Sequence, residues 1–253
     1  SAAILVKDDS KSGSSGGAMS EFSDMGIFRS NTNINNELFT LKSPALMTEV
    51  VRRLRLNETY TVRKGLKNVD LYKANPVAVT FGEVMEKPVS FTIRIDSKNA
   101  FTISGLKVAG VESENTFAGR MGDSIQTAAG TLFISPTKFY SDACIGTSIR
   151  YAIGKADGAA DRYLHALRVE LGSKEATIIN MSINDTSIAR AEDILNTLIE
   201  VYNEKWIQDK NQIAVSTSQF IGDRLSVIEN ELGHVDENIS SFKSEHLLPD
   251  VQA

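Results

Sequence analysis

The run from about Ser187 to Glu245 constrains this chain more than any other stretch. From Ile221 onward the apolar residues fall at Ile221, Leu225, Ile228, Leu232, Val235, Ile239 and Phe242, with gaps alternating strictly between four and three. That is the spacing of a coiled-coil seam, with d at Ile221 and a at Leu225. Upstream, Ile188, Ala191, Leu195, Leu198 and Tyr202 repeat the alternation in another phase, and Trp206, Ile207, Ile213 and Ala214 bridge the change of register. No proline interrupts the stretch before Pro249. At about 1.5 Å per residue such a helix extends on the order of 85 Å, so it is expected to leave the globular body.

A narrow apolar stripe does not stay in water alone. The upstream part, Ile188 to Tyr202, is read as a core helix lying on a sheet. The part from Ile221 to Phe242 is read as coiled coil, for which the chain offers no second strand: Leu247, Leu248, Pro249 and Asp250 read as a terminating turn. Gly222 and Gly233 fall at e and b, where they weaken the helix by about 1 kcal/mol each without blocking the seam. The chain opens on Ser1-Ala2-Ala3-Ile4-Leu5-Val6 rather than methionine. Together with the uncovered seam, this predicts a fragment of a longer protein.

A length of 253 residues allows one large or two small domains with a real core. The net charge of -5 argues against a nucleic-acid partner, since the 27 basic residues are dispersed. Their densest group, Arg52, Arg53 and Arg55, reads as a solvated helix face. The single cysteine, Cys144, excludes an internal disulfide and reads as a small core residue in a strand-like stretch. His165, His234 and His246 are too widely separated for a local metal motif. No run reaches the roughly eighteen apolar residues of a membrane span, and no signal peptide is recognisable.

In chain order, Ala2 to Lys7 reads as a short, well-buried strand and the Ser/Gly-rich Asp8 to Asp24 as a flexible loop. Ser43 as N-cap with Pro44 at the first helical position predicts a helix from Pro44 to Leu56, facing inward through Leu46, Val50, Val51 and Leu54. Between Asn57 and Ile153 the apolar period becomes two. Val69–Tyr72, Val77–Phe81, Val89–Ile95, Ala100–Ser104, Thr131–Ser135 and Ile145–Ile153 read as strands of an antiparallel sandwich or barrel of about eight strands. A short helix from Ala156 to Leu164, strands Ala166–Leu171 and Ala176–Ile183, and a cap at Asp185 or Ser187 lead into the long helix.

Catalytic signatures are missing. There is no P-loop, no Gly-x-Ser-x-Gly elbow, no His-Glu-x-x-His, no calcium loop and no Gly-x-Gly-x-x-Gly. Neighbouring acids such as Glu192-Asp193 and Asp236-Glu237 point in different directions on a helix, so they are poorly placed to act as an acid–base pair. No cofactor, metal or catalytic residue is expected.

The stretch from Asn184 to Tyr202, with Asp185, Ala191, Leu195, Asn196 and Tyr202 at its key positions, resembles the signature of bacterial polysaccharide co-polymerases, also called chain-length determinants, including the periplasmic part of capsule and exopolysaccharide tyrosine autokinases. Ser187 stands where that family usually has a proline. Ala2 to Lys7 resembles the strand following the family's first membrane span, and Asn35 to Leu56 its Asn-Glu, Leu-Lys-Ser and Val-Val segment. The middle, Val69 to Ile153, matches less clearly. The resemblance implies a periplasmic domain of an inner-membrane protein, anchored in its full-length form and without catalytic residues in this part. It implies a returning helix and a second membrane span beyond Ala253, followed in the autokinase members of the family by a cytoplasmic kinase domain. It further implies assembly as a homo-oligomeric ring that sets the length of polysaccharide made by a membrane polymerase or exporter, with nascent polysaccharide as a further partner.

The expected fold is therefore α+β: a mixed α/β base (1–68 and 154–205), a β-rich antiparallel subdomain (69–153) and one long C-terminal helix (206–253) projecting from it. Two competing functions are an export-system periplasmic adaptor, with β domains on both sides of a helical hairpin, and a glycan-processing enzyme, which needs two carboxylates facing each other across a cleft in the β-rich middle.

Overall fold

The computed structural model describes residues 1–5, 34–83, 87–172 and 178–245. The expected loop at 8–24, the turn at 247–250 and His246 lie outside the described residues. The architecture is α+β. Four α-helices and thirteen strands are described, and every strand pairing is antiparallel. Residues 1–202 form one compact unit and 203–253 a second. In the second, the described residues are all helix.

Within the first unit the buried apolar side chains form two clusters. One is built on a three-stranded sheet in the order β1 (Ala2–Leu5), β13 (Ile178–Ile183), β12 (Leu167–Leu171). Its core joins Val169, Ile179 and Met181 of the sheet to Met47 and Val50 of α2 (Pro44–Leu54), Ala160 and Tyr163 of α3 (Ala156–Ala166), and Ile194 and Leu198 of α4 (Ile188–Glu245). The other fills the space between two further sheets. One of these runs β4 (Val77–Phe81), β10 (Gly130–Pro136), β9 (Ser124–Thr127). The other runs β3 (Lys67–Asp70), β2 (Glu58–Lys64), β11 (Ser148–Ile153), β5 (Val89–Ser97), β6 (Ala100–Val108), β7 (Val111–Ser113), with β8 (Phe117–Arg120) also on β6. Alternate residues point inward, as in Phe91, Ile93 and Ile95 of β5 against Val79 and Ile134 of the facing sheet, which gives the period of two seen in the sequence.

Several expectations need correction. β2 pairs with both β3 and β11, so residues 58–68 belong with the β-rich part and not with the base. The opening strand is an edge strand paired only with β13, and its side chains alternate: Ala2 and Ile4 are half-buried against the core while Leu5 points to the other face and is 67 % exposed. Ser43 precedes Pro44 in extended conformation, but its hydroxyl makes no capping bond; its carbonyl accepts from the Met47 amide to begin α2. That helix ends at Leu54 rather than Leu56, because Arg55 takes a left-handed φ of 53°. A helix unrecognised in the sequence, α1 (Ile34–Leu41), precedes it. Cys144 is in a 3₁₀ turn, Asp142–Cys144, half-buried against the sandwich core rather than within a strand. Three short strands, β7, β8 and β9, and the seven-residue β2 were also unrecognised.

A bulge shapes the sandwich. Opposite Phe91, β6 inserts an extra residue, and the register passes from Ser90↔Lys107 to Thr92↔Ser104. Gly105 sits there at φ +62°, a conformation that costs glycine little and other residues more.

On α4, a Cβ at Gly222 or Gly233 would meet nothing within 4 Å. Gly222→Ala and Gly233→Ala should each stabilise that part of the helix by about 1 kcal/mol. Retained helical circular dichroism at higher temperature is the expected readout. An unchanged or lower thermal profile would mean that the backbone there departs from a regular helix.

Candidate functional site

Two features of α4 gather the residues singled out by sequence. The first is its start. Asp185 Oδ1 accepts the Ser187 amide at 2.8 Å, and Ser187 Oγ accepts the Arg190 amide at 3.3 Å, which makes Ser187 the N-cap. A family pattern with proline at this position would give up that hydroxyl cap. Arg190 is 9 % exposed and turns back over the cap. Its Nε lies 3.0 and 2.9 Å from the two Asp185 oxygens, one terminal nitrogen lies 2.7 Å from Oδ1, and the other bonds Asp70 at the end of β3. The guanidinium also stacks 5.5 Å from the Tyr72 ring. Tyr72 donates its hydroxyl to Asp193 at 2.8 Å, and Lys73 pairs with the same carboxylate at 2.7 Å. The network thus ties the helix start to the segment leaving β3.

Its electrostatics follow from these contacts. Burial disfavours ionisation of Asp185, but the Arg190 guanidinium and the Ser187 amide outweigh it and hold the carboxyl below the usual range. Asp193 is likewise depressed: burial is overcome by Lys73 and Tyr72. Both carboxylates therefore contribute stability that is complete above their unfolded value, near pH 4, and lost as pH falls through the lower folded values. Between the native chain and an Asp185→Asn, Asp193→Asn variant, the difference in urea midpoint should be constant from pH 7 to about 5 and shrink toward pH 3, which separates it from Glu58, whose carboxyl is pushed upward by burial and acts in the opposite sense. A difference that grows on acidification would contradict this assignment.

Along the rest of α4's first turns the stripe read from sequence is displaced. Ile188 is 79 % exposed, Ala191 half-buried and Asn196 exposed, while Ile194, Leu195, Thr197, Leu198, Val201 and Tyr202 are buried. The contact face centres on Ile194, Leu198 and Val201, so Ile188 at the first helical position falls outside it. Tyr202 donates its hydroxyl to Glu37 of α1 at 2.6 Å. Alongside, a shallow groove of about 550 Å³ is bounded by Ala2, Ile183, Asn184, Ile188, Leu195 and Asn196.

The second feature is the helix surface in the unit from 203 onward. Ile221, Leu225, Ile228, Leu232, Val235, Ile239 and Phe242 are all between 46 % and 58 % exposed. A further apolar row was missed in the sequence: Trp206, Ile213, Phe220 and Val227 recur every seven residues and are 43–57 % exposed. Their position, c, lies next to d across g, so the apolar band is c and d before Ile221 and a and d after it. The constant spacing of seven was the available signal.

Elsewhere polar groups serve the fold. Glu58 is ion-paired to Arg55 at 2.7 Å, and burial pushes its carboxyl upward against that pairing. Tyr60 accepts the Val79 amide at 3.0 Å and is pushed up to about 12 by burial. Burial first, and then the charge of nearby Glu58, push the Tyr151 hydroxyl upward. In the β-rich part, Asp96 is held by Arg94 and Thr102, and Glu112 by Lys107 at 2.8 Å. His165 is exposed, and His234 sits 3.8 Å from Glu237. Among the described residues no group of three or more His, Cys, Asp or Glu could hold a metal, and no helix is long and apolar enough to cross a membrane. No protein-family model matches the chain, and no curated protein matches it.

Proposed function

We propose that this chain is a periplasmic scaffold domain of the polysaccharide co-polymerase type. It works by association rather than catalysis, assembles as a homo-oligomeric ring at the inner membrane, and sets the length or export of a polysaccharide handled by a membrane polymerase or exporter. One observation supports the reading most. The three segments whose sequences resemble that family, scattered from one end of the chain to the other, meet around a single core. β1 pairs with β13, the strand leading into α4. Met47, Val50 and Val51 of α2 share that core with Leu195, Leu198 and Tyr202 of α4, and Tyr202 bonds Glu37 of α1. A chance likeness of three short, degenerate stretches has no reason to bring them into contact.

On this reading the base holds α4 in place and the apolar band from 203 to 245 makes the working contacts. Leu225→Asp together with Leu232→Asp, introduced into the full-length protein in its native host, should abolish the preferred polysaccharide length on gels while leaving membrane abundance unchanged. An unaltered length distribution at equal abundance, or a wild-type protein that is monomeric in mild detergent, would sink the proposal.

A further inference from the structure

From Leu225 to Phe242 the apolar band on α4 is flanked by charge of one sign, while Lys210 and Arg224 lie at g before that stretch. Between Leu225 and Phe242 the chain carries Glu229, Glu231, Asp236 and Glu237 and no lysine or arginine. With a at Leu225 and Leu232, Glu229 and Asp236 occupy e and Glu231 occupies g, the positions that border the seam and meet the partner's borders. Consider a second copy as the partner. In a parallel, in-register pair, g of one helix meets e of the next heptad on the other, which sets Glu231 against Asp236 twice. In an antiparallel pair with Leu232 layered on Val235, e meets e, which sets Glu229 against Asp236 twice. Parallel pairing recovers one favourable type of contact, Arg224 with Glu229, at the edge of the acidic stretch. The middle of the seam meets its own charge in both directions, and like charges there disfavour association.

We infer that the Ile221–Ile239 face is covered by a partner helix of different sequence, apolar along its seam and bearing Lys or Arg at the bordering positions, and not by a second copy of the same face. This rests on the proposed function only in taking the 203–245 stretch as an association surface; the ring is then closed by surfaces other than this seam. The same acidic borders set the face against anionic lipid surfaces.

The probes are two helical peptides with identical Ile and Leu seams, one with Lys and one with Glu at every e and g, titrated onto the whole 253-residue chain. The Lys peptide should bind at least about tenfold more tightly at low salt and lose that margin in high salt, as charge-bordered seams do. The triple change Glu229→Lys, Glu231→Lys and Asp236→Lys touches only exposed positions, leaves the fold intact and should reverse the preference. Leu232→Asp should abolish binding of both peptides. Equal affinity for the two, binding of neither, adsorption to anionic phospholipid vesicles, or self-association of the wild-type chain that Leu232→Asp dissolves would each overturn the inference. None of these outcomes depends on polysaccharide, so the inference can fail while the scaffold reading stands, and the reverse.

Discussion

Arg190→Met should lower the stability of the folded chain by about 3–5 kcal/mol, the range expected when one partner is removed from a largely buried ion pair and the other charges stay behind. Arg190 leaves two such charges. Asp185 is 7 % exposed at its side chain and loses three nitrogen contacts, while Asp70 loses its bond across to the helix. Methionine replaces the aliphatic stem, so the lost packing is small and the loss measures the charge network. Denaturant unfolding at pH 7 checks the magnitude. The same variant should also flatten the fall in stability below pH 5, because without the guanidinium Asp185 no longer has its depressed carboxyl. A change under about 1 kcal/mol would mean that water takes over the arginine's role at no cost.

The second large effect is a contrast within one helix. Leu198 and Leu232 are both leucines on α4, and both sit in alternating three-and-four apolar patterns. Leu198 is fully buried and Leu232 is 58 % exposed. Leu198→Ala should cost about 3 kcal/mol, the transfer of the side chain plus the cavity left in the core to which it belongs. Leu232→Ala in the isolated chain should change stability by less than about 0.5 kcal/mol, as exposed positions do. Adding the Lys-bordered peptide should make Leu232→Ala costly in binding while leaving the Leu198 figure unchanged. Equal costs at the two positions in the isolated chain would mean that the distal face is covered within a single molecule.

The Leu198 and Leu232 pair also marks where the sequence could be read and where it could not. Heptad spacing from Ile221 to Phe242 announced an apolar stripe on a helix, and the structure places that stripe on α4 with its side chains exposed. The spacing from Ile188 to Tyr202 announced a helix too, but put its buried face nearly a residue away from where it lies. Arg190 and Thr197 are buried there although neither is apolar, and Asp185 and Asp70 neutralise the first. No periodicity can show that, since the compensating groups come from β3 and from the turn before the helix. The strands with four or more alternating residues, such as β4 and β5, were legible for the complementary reason: both faces of the pleat are set by neighbours at a fixed distance. The three- and four-residue strands β7, β8 and β9 owe their existence to pairing with β6 and β10, partners that local sequence does not name.

The sequence by itself determined the α+β class, the long helix and the charge along its seam, because each depends on side chains a few residues apart on one regular backbone. Only the tertiary structure decided that α1, α2 and the start of α4 enclose one core and that Arg190 joins that core to β3. It also decided which face of the helix before Tyr202 is buried, the one centred on Ile194, Leu198 and Val201. Those outcomes depend on which distant segments arrive at each face, and contact between distant segments leaves no period in the chain.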